Sequence, residues 1–185
     1  MGLFRLSEGY YILLFFLLFF AIKFGGITNK KFAIVAEKTI AICENTYADF
    51  ENAIAFKESS NRWKIVNKSG YIGLFQFGQS AINAVGLKIT VAEFKENPHV
   101  FPPTAQRQAF KRLVNINAKI LNKYIKQYAG KTIHGCYIST SGLIAAAHLA
   151  GAGNVIKFIK FGYNPSDGHT RLTDYINKFK NYNIN

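Results

Sequence analysis

Apolar residues recur at helical spacing through Tyr47, Phe50 and Ile54, and the next position on that stripe is an acid, Glu58. Thr46, with Asp49 three residues later, supplies a capping-box start, so the pattern predicts a helix from Thr46 that ends near Glu58. A surface helix carries its acids opposite its apolar stripe. A carboxyl that continues the stripe faces the core or a cleft, where partial burial favours the protonated form that a general acid needs. Beyond it, residues 63–66, the turn Asn67-Lys68-Ser69-Gly70, and Tyr71-Ile72 read as a small hairpin or extended lobe.

The pattern predicts a short helix over residues 79–85, closed by Gly86. A loop bearing Pro98, Pro102 and Pro103 then leads into a long helix over residues 104–129. Phe110, Leu113, Ile116, Ile120 and Tyr124 form its expected buried stripe, and Gly130 stops it. The alanine-rich segment 141–150 reads as a central helix, because small side chains permit close neighbours. Further helices are expected over 154–161 and 173–182. Glu93 and Glu96 fall in a polar stretch and read as solvated, Asp167 lies in an Asp-Gly turn, and Asp174 reads as a helix-start residue. The expected fold class is mainly α with a small β element.

The N-terminus carries a different signal. Residues 10–22 (YYILLFFLLFFAI) are free of charge, with Arg5 before them and Lys23 after. The run is short for a membrane-spanning helix, which takes ~20 apolar residues, and suits the apolar region of an export signal. Residues 1–24 are therefore expected to be a signal peptide or signal-anchor, which puts the rest of the chain in the periplasm or outside the cell, with inner-membrane anchoring through residues 10–22 as one form. No good cleavage site decides between the two. Residues 25–45 read as a linker and accessory helix, and 46–185 as one domain. Cys43 and Cys136 leave two readings level, a long-range disulfide or two reduced thiols. Neither a metal nor another cofactor is expected, since no Cys/His spacing has metal-ligand character.

A net charge of +13 points to an anionic partner, and nucleic acid, an acidic membrane face and a cell wall all qualify. The lysines are spread along the chain without a basic arm, which argues against nucleic acid. Oligomeric state is left open.

Two motifs narrow the choice. Glu58-Ser59 with Gly70, Gly73-Leu74-Phe75-Gln76, and the later Ala146-Ala147-His148-Leu149-Ala150-Gly151-Ala152-Gly153-Asn154-Val155 resemble the soluble-lytic-transglycosylase-like (SLT) domain of the lysozyme superfamily. The first motif fits without a gap and the second lies in register. The segments 164–168 and 172–175 also resemble a subgroup of these enzymes. The resemblance implies a lysozyme-like α+β fold and a peptidoglycan lytic transglycosylase. In that family one Glu protonates the glycosidic oxygen between N-acetylmuramic acid and N-acetylglucosamine, then as base helps the muramoyl 6-hydroxyl close a 1,6-anhydro ring. Glu58 takes that role by correspondence, and peptidoglycan glycan strands become the expected partner.

The remaining site assignments are expectations of contact. Gln76 projects polar atoms toward the sugar groove, with a satisfied turn residue as its other reading. Tyr71 stacks on a sugar face or packs in the core. Gly73 lets a ligand approach the backbone closely. Asn67 stands where the family usually has a serine. His148-Leu149 replaces the family's Tyr-Asn, so His148 is a candidate hydrogen-bond partner for Glu58 or a packing residue. These departures keep open a non-catalytic wall-binding or secretion-machine component, and a hydrolytic muramidase is the near alternative.

Overall fold

The computed structural model describes residues 45–166 and 168–184, which belong to one compact unit, Asn45–Asn185. The apolar run 10–22, the linker and accessory helix, Cys43 and Asp167 lie outside the described residues. The described residues are mainly helical with a two-stranded antiparallel sheet, the mainly α class with a small β element that the sequence predicts.

Helix α1, Tyr47–Ser59, begins as the sequence predicts. Thr46 Oγ1 accepts from the Asp49 N–H at 3.3 Å, and Asp49 accepts in return from the Thr46 N–H at 2.8 Å. Two orphan amides are satisfied at once, an arrangement worth about 1 kcal/mol. Helix α2 is Gln79–Ala84. Helix α3, Val91–Glu96, was read from sequence as polar loop. It forms because Thr90 and Glu93 make a second capping box and Phe94 is fully buried. A 3-10 turn, Pro98–Val100, then leads to the long helix α4, Pro103–Tyr128, with proline at its first position where no N–H is needed.

The buried face of α4 differs from the expected stripe. It runs through Gln106, Ala109, Phe110, Val114, Asn117 and Leu121, while Ile120 is half exposed. The polar residues Gln106 and Asn117 occupy interior positions, so an apolar count rotates the stripe away from its true direction.

Strands β1, Thr132–Ile133, and β2, Cys136–Tyr137, pair in register as Thr132 with Tyr137 and Ile133 with Cys136. This hairpin was not expected. The hairpin expected over residues 63–72 is reduced to isolated bridges, Val66 with Ile72 and Ile72 with Phe77. Cys136 is a buried free thiol. Helix α5, Thr140–Ala150, is the centre of the domain, with Ser141 to Ala147 all buried, and it packs against α4, α6 and α7. Helix α6, Ala152–Phe161, turns from α5 by 118° at Gly151. Helix α7 is Leu172–Lys178, shorter than predicted at its C-terminal end. Among the described residues no single helix is long and apolar enough to cross a membrane. The Asn183 N–H donates to Asn45 O at 2.6 Å, which fastens the last residues of the domain to its first.

Candidate active site

Glu58 is the penultimate residue of α1, one turn beyond the fully buried Ile54. The helix ends there because Ser60 and Asn61 take left-handed backbone (φ 54° and 61°), which turns the chain away. Ser59 is buried, and its hydroxyl lies 3.0 Å from Ala55 O and 2.9 Å from Leu74 O. It thereby fastens the end of α1 to the glycine-punctuated turn that follows. Glu58 is held at a fixed place relative to residues 73–77.

Gln106 organises that turn from α4. Fully buried, its Oε1 accepts from the Leu74 N–H at 2.6 Å, and its Nε2 donates to Trp63 O at 3.0 Å and Phe101 O at 2.7 Å. The amide crosses so close to Gly73 that a Cβ there would lie 2.3 Å from Gln106 Oε1. On the side where a Cβ would stand, the close approach that Gly73 permits is that of a protein side chain. Sequence reading missed Gln106 because a polar residue on a helix defaults to the solvent side.

The Glu58 carboxyl is mostly enclosed, with its side chain 15 % exposed. Tyr175, buried on α7, donates its hydroxyl to Glu58 Oε1. That tyrosine sits in the tail segment already matched by pattern, yet its link to Glu58 spans 117 residues and has no local signal in the sequence. His148 on α5 approaches the same oxygen to 3.9 Å, beyond hydrogen-bond range. Its Nε2 is 2.9 Å from Phe75 O, and since a carbonyl only accepts, Nε2 carries the proton and donates. The expected hydrogen bond from His148 to Glu58 is therefore made by Tyr175, and His148 holds the turn instead. The imidazole is 7 % exposed and lies edge-on to Phe77 and Phe110, in the manner of a packing residue.

Burial pushes the His148 pKa down, against the opposing pull of the nearby Glu58 carboxyl and the Phe75 carbonyl. The ring is neutral as a result, and its Nδ1 has no hydrogen-bond partner. Protonation would put an unpaired N–H in the core. The depressed folded value means the unfolded chain binds the proton more tightly, so the histidine costs nothing above its ordinary pKa. Stability falls as pH drops through about 6.5 toward the folded value. Denaturant midpoints at pH 7.5 and 5.5 are expected to separate in the wild type. In His148→Gln, which keeps a donor for Phe75 O, that separation shrinks.

The other candidates spread around this centre. Gln76 takes a left-handed φ of 49°, and its Nε2 donates back to Gly73 O at 3.0 Å, so its amide N is committed to the turn. Asn67 also turns inward on its own loop: Oδ1 accepts from the Ser69 and Tyr71 N–H groups, both at 2.9 Å. That is an Asx turn, a local job that asparagine performs well, and it takes up the oxygen that a substrate would otherwise find. Tyr71 is 46 % exposed, its ring lying against Gly78, and presents an aromatic face to solvent. Phe75 stacks on Phe110 at 4.2 Å and 7°, so the turn is also held from below by the core.

The family model for the transglycosylase SLT domain matches residues 44–170. The chain belongs to the SLT family. Neither a curated protein nor a solved structure matches it. The SLT match implies a glycan-cleaving enzyme of the lysozyme-like superfamily acting on peptidoglycan. Replacing Tyr175 with Phe removes one hydrogen bond to an ionisable group and is expected to lower kcat for muropeptide release by about 10–100-fold with KM little changed.

Proposed function

We propose that this chain is a lytic transglycosylase that cleaves the β-1,4 bond between N-acetylmuramic acid and N-acetylglucosamine with Glu58 as its single acid and base. The observation that carries the reading is the enclosed Glu58 carboxyl with Tyr175 bonded to one oxygen. Because Oε1 accepts from the tyrosine, Oε2 is the oxygen left to hold the acidic proton. Glu58 donates that proton to the glycosidic oxygen as the bond to the sugar breaks. The resulting carboxylate, still held by Tyr175, takes the proton of the muramoyl 6-hydroxyl as that oxygen closes on the anomeric carbon. One proton leaves Glu58 and one returns.

Among the described residues, the engagement of four other acids supports a single-carboxyl route. Asp49 caps α1 through Thr46, Glu51 pairs with Arg107, Glu93 caps α3 through Thr90, and Asp174 accepts from the Arg171 N–H at 2.7 Å. Each is engaged away from Glu58. A route through attacking water conventionally uses a second carboxyl to activate it, whereas an intramolecular hydroxyl gains its advantage from proximity. The apolar run at residues 10–22 supports action in the periplasm or outside the cell, with inner-membrane anchoring as one arrangement. The test is digestion of purified sacculi with mass analysis of the soluble muropeptides. Release of products with anhydro ends is expected; absence of any release would overturn the proposal, and reducing ends would make the chain a muramidase.

A further inference from the structure

From Asn97 to Ser166 the sequence contains no Asp or Glu and nine lysines and arginines. The lysines are spread along the chain, and two of them share one face of α6. Lys157, Lys160 and Phe161 stand at i, i+3 and i+4 on α6 and are all exposed, opposite the buried Val155, Phe158 and Ile159. Lys160 Nζ lies 6.0 Å from the Tyr124 ring on α4, and Lys157 Nζ lies 5.8 Å from the Tyr163 ring. The β-hairpin joins the same patch, since His134 Nε2 is 3.2 Å from Ile159 O and its ring lies beside Gly162. Beside these lysines Phe161 is 76 % exposed, the most exposed large hydrophobic among the described residues, and Tyr163 is 51 % exposed.

The lysines alone would suit any polyanion, and it is the bare phenylalanine beside them that favours a bilayer. A bilayer with anionic headgroups uses both: lysines meet phosphates, and aromatic rings enter the headgroup region. The apolar run at residues 10–22 also keeps a lipid surface within the chain's reach wherever it is retained as an anchor. We infer that the α6 face formed by Lys157, Lys160, Phe161 and Tyr163 docks on an anionic phospholipid surface. None of these residues builds the Glu58 site, so docking and glycan cleavage are separable properties.

The test uses the full chain with vesicles of phosphatidylcholine alone and of phosphatidylcholine with phosphatidylglycerol. The ratio of the two partition coefficients cancels the contribution of the apolar run. Near-surface lysines contribute enough that removing two, in K157Q/K160Q, is expected to lower the anionic-to-neutral ratio about 30-fold. Phe161→Trp reports insertion: its emission is expected to be quenched by brominated lipid on anionic vesicles, beyond the signal of wild type, whose single tryptophan is Trp63. All three side chains are exposed, so the variants retain the fold, which circular dichroism checks. An unchanged ratio in K157Q/K160Q overturns the inference. A lysine-dependent ratio without quenching at position 161 also overturns it, and assigns the face to an anionic polymer instead.

Discussion

Glu58→Gln is expected to lower the rate of muropeptide release by at least about 10³-fold while leaving sacculus binding and thermal stability nearly unchanged. Removing a general acid alone costs roughly 10²–10⁴-fold, and here the same carboxyl also serves as base, so both proton transfers are lost together. Glutamine keeps the volume of the side chain and a carbonyl oxygen that can still accept from the Tyr175 hydroxyl. The scaffold around it has no reason to move. Ser59 still fastens α1 to Leu74 O, and His148 still donates to Phe75 O. Binding of sacculi by co-sedimentation, melting temperature, and release kinetics separate the outcomes. A Glu58→Gln protein that releases muropeptides at the wild-type rate would remove this residue from the chemistry.

The second large effect is structural. Gly73→Ala is expected to destabilise the domain by about 2–4 kcal/mol, and Gly86→Ala by only about 1 kcal/mol. The two glycines share nearly the same backbone, φ 75° and 76°, so the strain of a left-handed alanine is common to both. Their surroundings differ. Nothing lies within 4 Å of a Cβ built at Gly86, whereas at Gly73 it would meet Gln106 Oε1 at 2.3 Å. Gln106 cannot retreat without giving up its bonds to Leu74, Trp63 and Phe101. Leaving such buried groups unsatisfied costs about 1–3 kcal/mol each. Urea denaturation of the two variants measures the difference directly. Equal losses would mean that the turn next to Glu58 is far looser than its hydrogen bonds imply. Because that turn is joined to the end of α1 by Ser59, Gly73→Ala is expected to lose activity as well.

What was legible in the sequence was whatever a local rule governs. The start of α1, the stripe that runs into Glu58, the approximate extents of α2, α4, α5 and α6, and the SLT motifs all rest on spacing over one or two turns. The elements that were missed depend on pairing between distant residues. Tyr175 and Glu58 meet only because α7 packs against α5, and α5 brings His148 to the same carboxyl. Gln106 and Asn117 enter the core against their type, and this turned the predicted face of α4 away from its real one. The two-residue strands at 132–137 are too short for alternation to show. Motif position left Gln76 open between a sugar contact and a satisfied turn residue, and in the fold Gln76 and Asn67 each bond their own turn. A motif identifies which residues belong together; whether a polar atom points outward is settled by its neighbours.

In the proposed reaction one carboxyl passes a proton out and takes one back while the sugar's own hydroxyl closes the ring. Digestion of sacculi by the wild-type protein in water enriched in heavy oxygen tests this most directly. Muropeptide ends that carry no solvent oxygen are the predicted result. Incorporation of one heavy oxygen at each new end would show that water is the nucleophile and would contradict it.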